Sequence, residues 1–352
     1  MWNVFVACDR QDFLRLGQAV LSSLVVLLYM GVAASAQEAS QFERGMSLFR
    51  KGDFAKAADA FASVREGEQG AAKSQLYLGK SLINMNRFAE AEAALRRYVT
   101  AQPMSDDGLY LLAYTVFRQG RARDSLVLYE AAASLKSPTA DDVKIVGLNY
   151  GLLGRYDLSA KFLEQALAAD PDNIEARYYL GRAQFALNHF AEALQAFSEV
   201  LRRDPAHVKA QNNIGQVYEA QNNSEAAMAA YRRAIELDAH SRSPSELPLF
   251  NLGVLLSQRN ETKEALVWLE RAAKANPASA QVRFQLGKEF LKLGRTDEAE
   301  RELVEATRLN PQDIGAHYQL GRLYQRMGQH ARARQQMQIS ESLRLKPQGQ
   351  QK

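Results

Sequence analysis

Small residues recur along the chain at a fixed period of 34 residues. The small residue is glycine in eight of nine copies and alanine in the third, and one step, from Gly215 to Gly253, is 38 residues long. The nine residues are Gly45, Gly79, Ala113, Gly147, Gly181, Gly215, Gly253, Gly287 and Gly321. A period of this length is typical of repeat proteins in which each copy is one small helical unit.

The apolar pattern inside each copy predicts two helices. A second small residue follows the first after twelve positions, and a large apolar residue comes four positions later, as Ala91 and Leu95 do in the second copy. Steps of three and four keep such side chains on one face of a helix. The large residues are Phe61, Leu95, Tyr129, Leu163, Phe197, Tyr231, Leu269, Leu303 and Met337. We therefore expect nine helical pairs, in copies that begin near residues 38, 72, 106, 140, 174, 208, 246, 280 and 314.

A glycine or an asparagine separates the two predicted helices of every copy. These are the two residues that most easily adopt the left-handed conformation that ends a helix. They are Gly52, Asn86, Gly120, Gly154, Asn188, Asn222, Asn260, Gly294 and Gly328. Proline follows the second helix in five copies, at Pro103, Pro171, Pro205, Pro277 and Pro311. Proline lacks the amide proton that a continuing helix needs, so it indicates where the second helix ends.

The period glycines lie inside predicted helices, where each costs about 1 kcal/mol relative to alanine. We expect packing to offset this cost, because small residues on both helices of a pair would let their backbones approach closely. A single helical pair cannot bury its own apolar stripe, so each pair must pack against the next. The pattern predicts a stack with a continuous core.

The chain resembles the tetratricopeptide repeat family in its period, its Leu-Gly pair, its following aromatic residue, its alanine and its proline. The Leu-Gly pairs are Leu78-Gly79, Leu180-Gly181, Leu252-Gly253, Leu286-Gly287 and Leu320-Gly321, and the aromatic residues are Tyr150, Tyr218, Phe290 and Tyr324. The resemblance covers residues 37–347, followed by a polar tail at 348–352. It implies an all-α, right-handed superhelical solenoid of nine helix-turn-helix repeats, whose first helices line a concave groove.

By this resemblance, the fifth and ninth residues of each copy face the groove. Six of the nine fifth residues are aromatic, and four of the nine ninth residues are basic. Aromatic faces beside flexible cations suit peptide segments with acidic and apolar groups. The alternative is that the aromatic side chains only pack between first helices. The candidate groove residues from these two rows are Tyr110, Tyr114, Tyr178, Arg182, Phe250, Phe284, Lys288, Tyr318 and Arg322.

The sixth residues of the last four copies are primary amides, namely Asn213, Asn251, Gln285 and Gln319. An amide both donates and accepts hydrogen bonds, so a row of them could bind the backbone of an extended peptide. The row is similar to the asparagine ladder in the repeat arm of O-linked N-acetylglucosamine transferase, and the alternative is ordinary solvation. Chaperone-binding members of the family use a Lys-Asn clamp, and no ninth residue here is asparagine. We therefore expect no binding to chaperone tails.

Composition and motifs argue against catalysis and against nucleic-acid binding. The chain is 47% hydrophobic and 24% charged, and its net charge of +4 comes without a long basic run. None of its five histidines lies four residues from another, and no nucleophile-elbow motif occurs. Cys8 is the only cysteine, so no cysteine zinc site is expected. We expect a chain that is not an enzyme and that needs no metal and no cofactor.

The N-terminal residues have the pattern of a secretory signal. An apolar run from Ala19 to Val32 precedes Ala34-Ser35-Ala36, which fits the small-residue pattern of a cleavage site. The run is shorter than the roughly 20 residues that span a bilayer. We expect residues 1–36 to be a signal peptide cut after Ala36, and the mature chain, without a membrane span, to be periplasmic or secreted. The alternative is an uncleaved N-terminal membrane anchor.

Taken together, these patterns favour a non-catalytic interaction scaffold that binds a peptide or partner protein in its groove. A second possibility is an accessory or substrate-recruiting subunit of an enzyme carried on another chain. A third is a repeat protein that binds RNA, against which the secretion signal argues. The sequence leaves the partner and the oligomeric state open.

Overall fold

The computed structural model describes residues 40–68, 70–239 and 244–345. Within these ranges the chain forms eighteen α-helices in nine consecutive pairs and no β-strand, which confirms the predicted all-α fold and the predicted number of copies. The predicted signal peptide, Cys8 and the polar tail lie outside the described residues. No helix in the described part of the chain is long and apolar enough to cross a membrane.

The odd-numbered helices are the first helices of the nine copies, and the even-numbered helices are the second helices. They are α1 (Gln41–Arg50), α2 (Phe54–Ala62), α3 (Ala71–Asn84), α4 (Phe88–Ala101), α5 (Asp106–Arg118), α6 (Ala122–Ala133), α7 (Ala140–Leu152), α8 (Tyr156–Ala169), α9 (Ile174–Ala186), α10 (Phe190–Arg203), α11 (Val208–Ala220), α12 (Ser224–Asp238), α13 (Glu246–Gln258), α14 (Thr262–Ala275), α15 (Ala280–Lys292), α16 (Thr296–Leu309), α17 (Ile314–Arg326) and α18 (His330–Leu345). Two compact units divide the chain between Pro138 and Thr139. Unit 1 contains α1–α6, and unit 2 contains α7–α18.

All nine turns inside the copies contain the glycine or asparagine that the sequence predicts, in the left-handed conformation. Their φ angles lie between 57° and 78°. At the second turn, Asn86 donates its backbone N–H to Ile83 and Arg87 donates to Leu82, both at 2.9 Å. These bonds satisfy the last carbonyl groups of α3 and direct the chain into α4.

In eight of the nine copies, the period glycine of the first helix makes room for the large apolar residue of the second helix. A Cβ atom added to Gly79 would lie 2.6 Å from Leu95 Cγ, and one added to Gly181 would lie 2.8 Å from Phe197 Cε1. At Gly253 an added Cβ would also lie 3.3 Å from the backbone oxygen of Ala265, so the two backbones are close as well. Close packing of the two helices therefore accounts for glycine at a position where it weakens a helix.

The core of unit 2 continues from copy to copy. One cluster of buried apolar residues extends from Leu249 on α13 to Ala333 on α18, and another extends from Tyr178 on α9 to Ala230 on α12. Fully buried residues such as Phe197 and Leu269 come from second helices and fill the space beside the glycines. This is the shared core that the repeat pattern predicts.

Polar side chains cap the first helices where the sequence changes from turn to helix. Ser105 caps α5, which begins with an acidic pair, and Thr139 forms a capping box with Asp142 at the start of α7. These acidic residues favour the positive end of the helix dipole. The four-residue insertion that the sequence places at 242–245 is described only from Pro244. There Ser245 caps α13 and donates its backbone N–H to Asp238 on α12 at 2.5 Å.

Candidate partner-binding surface

The candidate surface consists of the fifth, sixth and ninth residues of the first helices, and we call it the first-helix surface. In unit 1 it contains Tyr110 and Tyr114. The Tyr110 hydroxyl donates to the backbone oxygen of Lys136 at 2.7 Å, which ties α5 to the end of its own copy. The Tyr114 hydroxyl accepts a hydrogen bond from Arg118 at 2.6 Å, and Arg118 also lies 4.3 Å from the centre of the Phe88 ring. Both tyrosine hydroxyls are therefore hydrogen-bonded within the protein.

In the middle of unit 2, Tyr178 is a core residue. It is only 9% exposed, and its ring lies 5.1 Å from the His207 ring and 5.9 Å from the Phe197 ring. Burial raises the pKa of the Tyr178 hydroxyl. The exposed Arg182 lies over Tyr179, 5.5 Å from the ring centre, so its aromatic partner is the sixth residue of the copy. Tyr178 thus packs between copies, the alternative that the sequence left open for the aromatic row.

Three of the four amides in the sixth row already have partners within the protein. Asn213 donates to the Tyr178 hydroxyl at 3.4 Å, and Asn251 donates to the Asn212 side chain at 3.0 Å. Both bonds join a first helix to the first helix of the preceding copy. Gln285 is buried, whereas Gln319 on the last first helix is half-buried. The amide row therefore links copies to one another, and a peptide would have to compete with these bonds.

A buried polar cluster around Glu289 joins α13 to α15. The Glu289 side chain is completely buried, and its carboxylate accepts hydrogen bonds from Ser257 at 2.5 Å and from Gln285 at 3.1 Å. Lys292 donates to the Ser257 hydroxyl at 2.8 Å and forms an ion pair with Glu289 at 3.0 Å. A buried carboxylate is costly unless it is paired and hydrogen-bonded, and here it is both.

The sequence analysis did not single out Glu289, although the chain carries a signal for it. The tenth residue of the neighbouring copies is Leu255 or Leu323. A glutamate at a position that is leucine in both neighbouring copies indicates a buried polar contact that crosses between copies.

The last two copies present an aromatic residue and a cation in the same register. Lys288 Nζ lies 5.5 Å from the Phe284 ring centre, and the Arg322 guanidinium carbon lies 5.9 Å from that of Tyr318. Tyr318 is 48% exposed, which makes it the most accessible aromatic residue of the candidate surface.

The two phenylalanines of the candidate surface are less accessible. Phe250 and Phe284 are partly buried and pack against the core cluster of α13–α18. They line the surface and also contribute to the core.

Comparison with protein families identifies the repeat. Tetratricopeptide repeat models match residues 42–103, 76–140, 181–242, 152–196 and 314–345, and a TPR repeat model matches residues 287–328. The chain belongs to the tetratricopeptide repeat family. The tetratricopeptide repeats of this chain support a role as a protein-interaction scaffold. Among proteins with curated annotation, none matches the chain.

Solved structures of tetratricopeptide repeat proteins share the fold. A tetratricopeptide repeat protein from Parabacteroides merdae is 14% identical and has a TM-score of 0.59, over 78% of this chain and 100% of that one. Yeast Tom70 is 21% identical and has a TM-score of 0.57, over 88% of this chain and 65% of that one. At this level of identity the comparison supports the fold alone.

Helices α9 and α10 of the fifth copy line a pocket. Its lining residues are Arg177, Leu180, Gln184, Glu192, Gln195, Ala196 and Glu199, and its volume is about 420 Å³. Arg202 and Arg203 lower the pKa of Glu199 to about 2, so this carboxylate stays ionised at neutral pH and is unsuited to proton transfer.

Metal-binding groups do not cluster in the described part of the chain. Among those residues, no three His, Cys, Asp or Glu side chains come close enough to hold a metal ion. His317 is buried, and its ring nitrogens lie 2.6 Å from the Gln336 side-chain oxygen and 3.2 Å from the Pro311 backbone oxygen.

Proposed function

We propose that this protein is a non-catalytic adaptor that binds a peptide or partner protein on the first-helix surface of unit 2, in the periplasm or outside the cell. The tetratricopeptide repeats support protein binding. The exposed pair of Tyr318 and Arg322 on α17 supports binding on this part of the surface, because most aromatic residues of the other first helices contribute to the core. An exposed aromatic ring beside a cation is the kind of group that dominates the energy of protein interfaces.

Site-specific photo-cross-linking in native cells tests this function. A benzoylphenylalanine placed at Tyr318 should form an adduct with a partner. The same probe placed at Val267, which is 54% exposed on the second helix α14, is the matched control and should give little or none. Equal adducts from both positions, or adducts from Val267 alone, would contradict a binding surface on the first helices.

The proposed location rests on the predicted signal. Protein isolated from the periplasmic or secreted fraction should begin at Gln37, because the small residues Ala34 and Ala36 fit the cleavage pattern. N-terminal sequencing of that protein checks this. Recovery of the intact N-terminus in the membrane fraction would instead indicate an uncleaved anchor.

A further inference from the structure

The first helices of the last two copies carry several positively charged side chains, and only some of them form ion pairs. Helices α15 and α17 together contain five Lys and Arg residues and a single acidic residue, Glu289, which is completely buried. Arg283 forms an ion pair with Glu302, and Lys292 forms one with Glu289. The remaining cations form no ion pair with another described residue, and these are Lys288, Arg322 and Arg326.

In the eighth copy the acidic residues lie on the second helix instead, whereas α18, the second helix of the ninth copy, contains three arginines and a single glutamate. Helix α16 contains five acidic and two basic residues. The chain as a whole has a net charge of only +4, so the basic character of α15 and α17 reflects the placement of charges and not the overall composition. The separation of charge in the eighth copy, together with the arginines of α17, gives the first-helix surface an attraction for anions.

Two of the cations without an ion pair lie in equivalent places, although Lys288 also donates a hydrogen bond to the Gln285 side chain at 3.2 Å. Lys288 lies over Phe284 and Arg322 lies over Tyr318, in each case four residues apart on one helix, and the two pairs are separated by one repeat of 34 residues. A carboxylate bound by such a cation would form a charge-assisted hydrogen bond, and the neighbouring ring would cover an adjacent apolar side chain. The surface therefore offers the same anionic and apolar subsite twice.

The distance between the two subsites determines how far apart two carboxylates of one peptide must be to bind both. Helices α15 and α17 are adjacent, because a Cβ atom added to Gly315 on α17 would lie 3.3 Å from Phe284 Cζ. Neighbouring packed helices lie about 8–10 Å apart. An extended chain advances about 3.3 Å per residue, so roughly three residues span that distance.

We infer that the segment bound by the last two copies is an extended acidic peptide with two carboxylates about three residues apart, each beside an apolar side chain. This inference rests on the proposed function and names the chemistry of its partner. The Lys288 and Arg322 subsites each bind one carboxylate, and the rings of Phe284 and Tyr318 contact the apolar side chains.

Fluorescence anisotropy with defined peptides and the full chain tests the inference. The probe is a labelled twelve-residue peptide with two aspartates three residues apart, each beside a leucine. One comparison peptide has asparagine in place of both aspartates, and another has the aspartates adjacent to each other. Loss of two charge-assisted contacts should weaken binding about tenfold or more for the asparagine peptide, and added salt should weaken binding of the aspartate peptide.

Matched variants locate the effect on the protein. The double variant Lys288→Gln and Arg322→Gln should weaken binding of the aspartate peptide about tenfold. The double variant Lys263→Gln and Lys274→Gln removes the same charge from exposed positions on α14 and should change binding less than about twofold. Both variants should keep the thermal stability of the parent chain.

Three results would overturn the inference. One is equal binding of the aspartate and asparagine peptides, and another is equal loss of affinity in both double variants. The third is binding of a single-stranded RNA probe at least as tight as that of the peptide, which would indicate a general anion surface. If the probe at position 318 cross-links a partner in cells while no aspartate peptide binds, the inference of an acidic ligand is wrong and the proposed function stands.

Discussion

Tyr178 and Tyr318 occupy the same position in the fifth and ninth copies, yet one is core and the other is surface. The Tyr178 ring is covered by His207, which caps the first helix of the next copy, and it is 9% exposed. No further copy follows the ninth in the described part of the chain, and Tyr318 is 48% exposed. The difference shows that a residue's role in a repeat depends on the neighbouring copy as well as on its position in the period.

Substitution of each tyrosine by alanine should give the largest difference in stability between these two copies. Tyr178→Ala removes a buried ring and should lower the free energy of unfolding by about 3 kcal/mol. Tyr318→Ala removes a half-exposed ring and should cost less than about 1 kcal/mol. Urea denaturation of both variants measures this, and similar losses would mean that the ninth copy packs as tightly around its fifth residue as the fifth copy does.

The tenth position offers a second comparison, between the buried Glu289 of the eighth copy and Leu323 of the ninth. Glu289→Ala leaves Ser257, Gln285 and Lys292 without their shared acceptor and should cost about 3 kcal/mol. Glu289→Leu makes the eighth copy resemble the ninth and should restore part of that loss through apolar packing. Thermal unfolding of the two variants checks the order, and an alanine variant as stable as the parent would show that the cluster contributes no stability.

Peptide affinity should depend more on Tyr318 than on Tyr178, the reverse of the order expected for stability. Tyr318→Ala should weaken the aspartate peptide about tenfold, because the exposed ring contacts the ligand. Tyr178→Phe removes only a buried hydroxyl and should leave peptide affinity within about twofold. Anisotropy titrations of both variants measure this, and a larger loss of affinity at Tyr178 would indicate that the peptide binds to the middle copies.

The smallest effect should come from the surface charges of the fifth copy. Arg202 and Arg203 lower the pKa of Glu199 from 4.5 to about 2, so its ion pairs contribute stability above pH 4.5 and lose it as the pH falls through 2. The melting temperature of Glu199→Gln should therefore lie slightly below that of the parent at neutral pH and converge with it near pH 2. A constant difference down to pH 2 would assign the effect to packing.

The sequence was sufficient to predict the helices, the turns and the glycine contacts, because each depends on residues within one copy. Asn86 ends its helix through its own conformation, and Gly79 makes room for a side chain sixteen residues later. These local relations recur from copy to copy, so a single sequence reveals them.

The candidate surface was harder to predict, because its side chains meet residues of other copies. The sequence paired cations with fifth residues, but Arg182 lies over Tyr179. Gln285 and Glu289 find their partner Ser257 on the preceding first helix. Their position in the period alone does not identify that partner. The role of the candidate residues in binding therefore stays a prediction that the cross-linking and peptide experiments test.

The glycine contacts and the Glu289 cluster differ in how far along the chain they reach. Gly287 and Leu303 fit together inside one copy, so that copy could be duplicated or moved elsewhere in the array without disturbing their fit. Ser257 and Glu289 belong to successive copies, so exchanging the eighth copy alone would leave the serine of the seventh facing a residue evolved for another neighbour. The seventh and eighth copies are thus joined by a buried polar contact, and recombination would have to inherit them together.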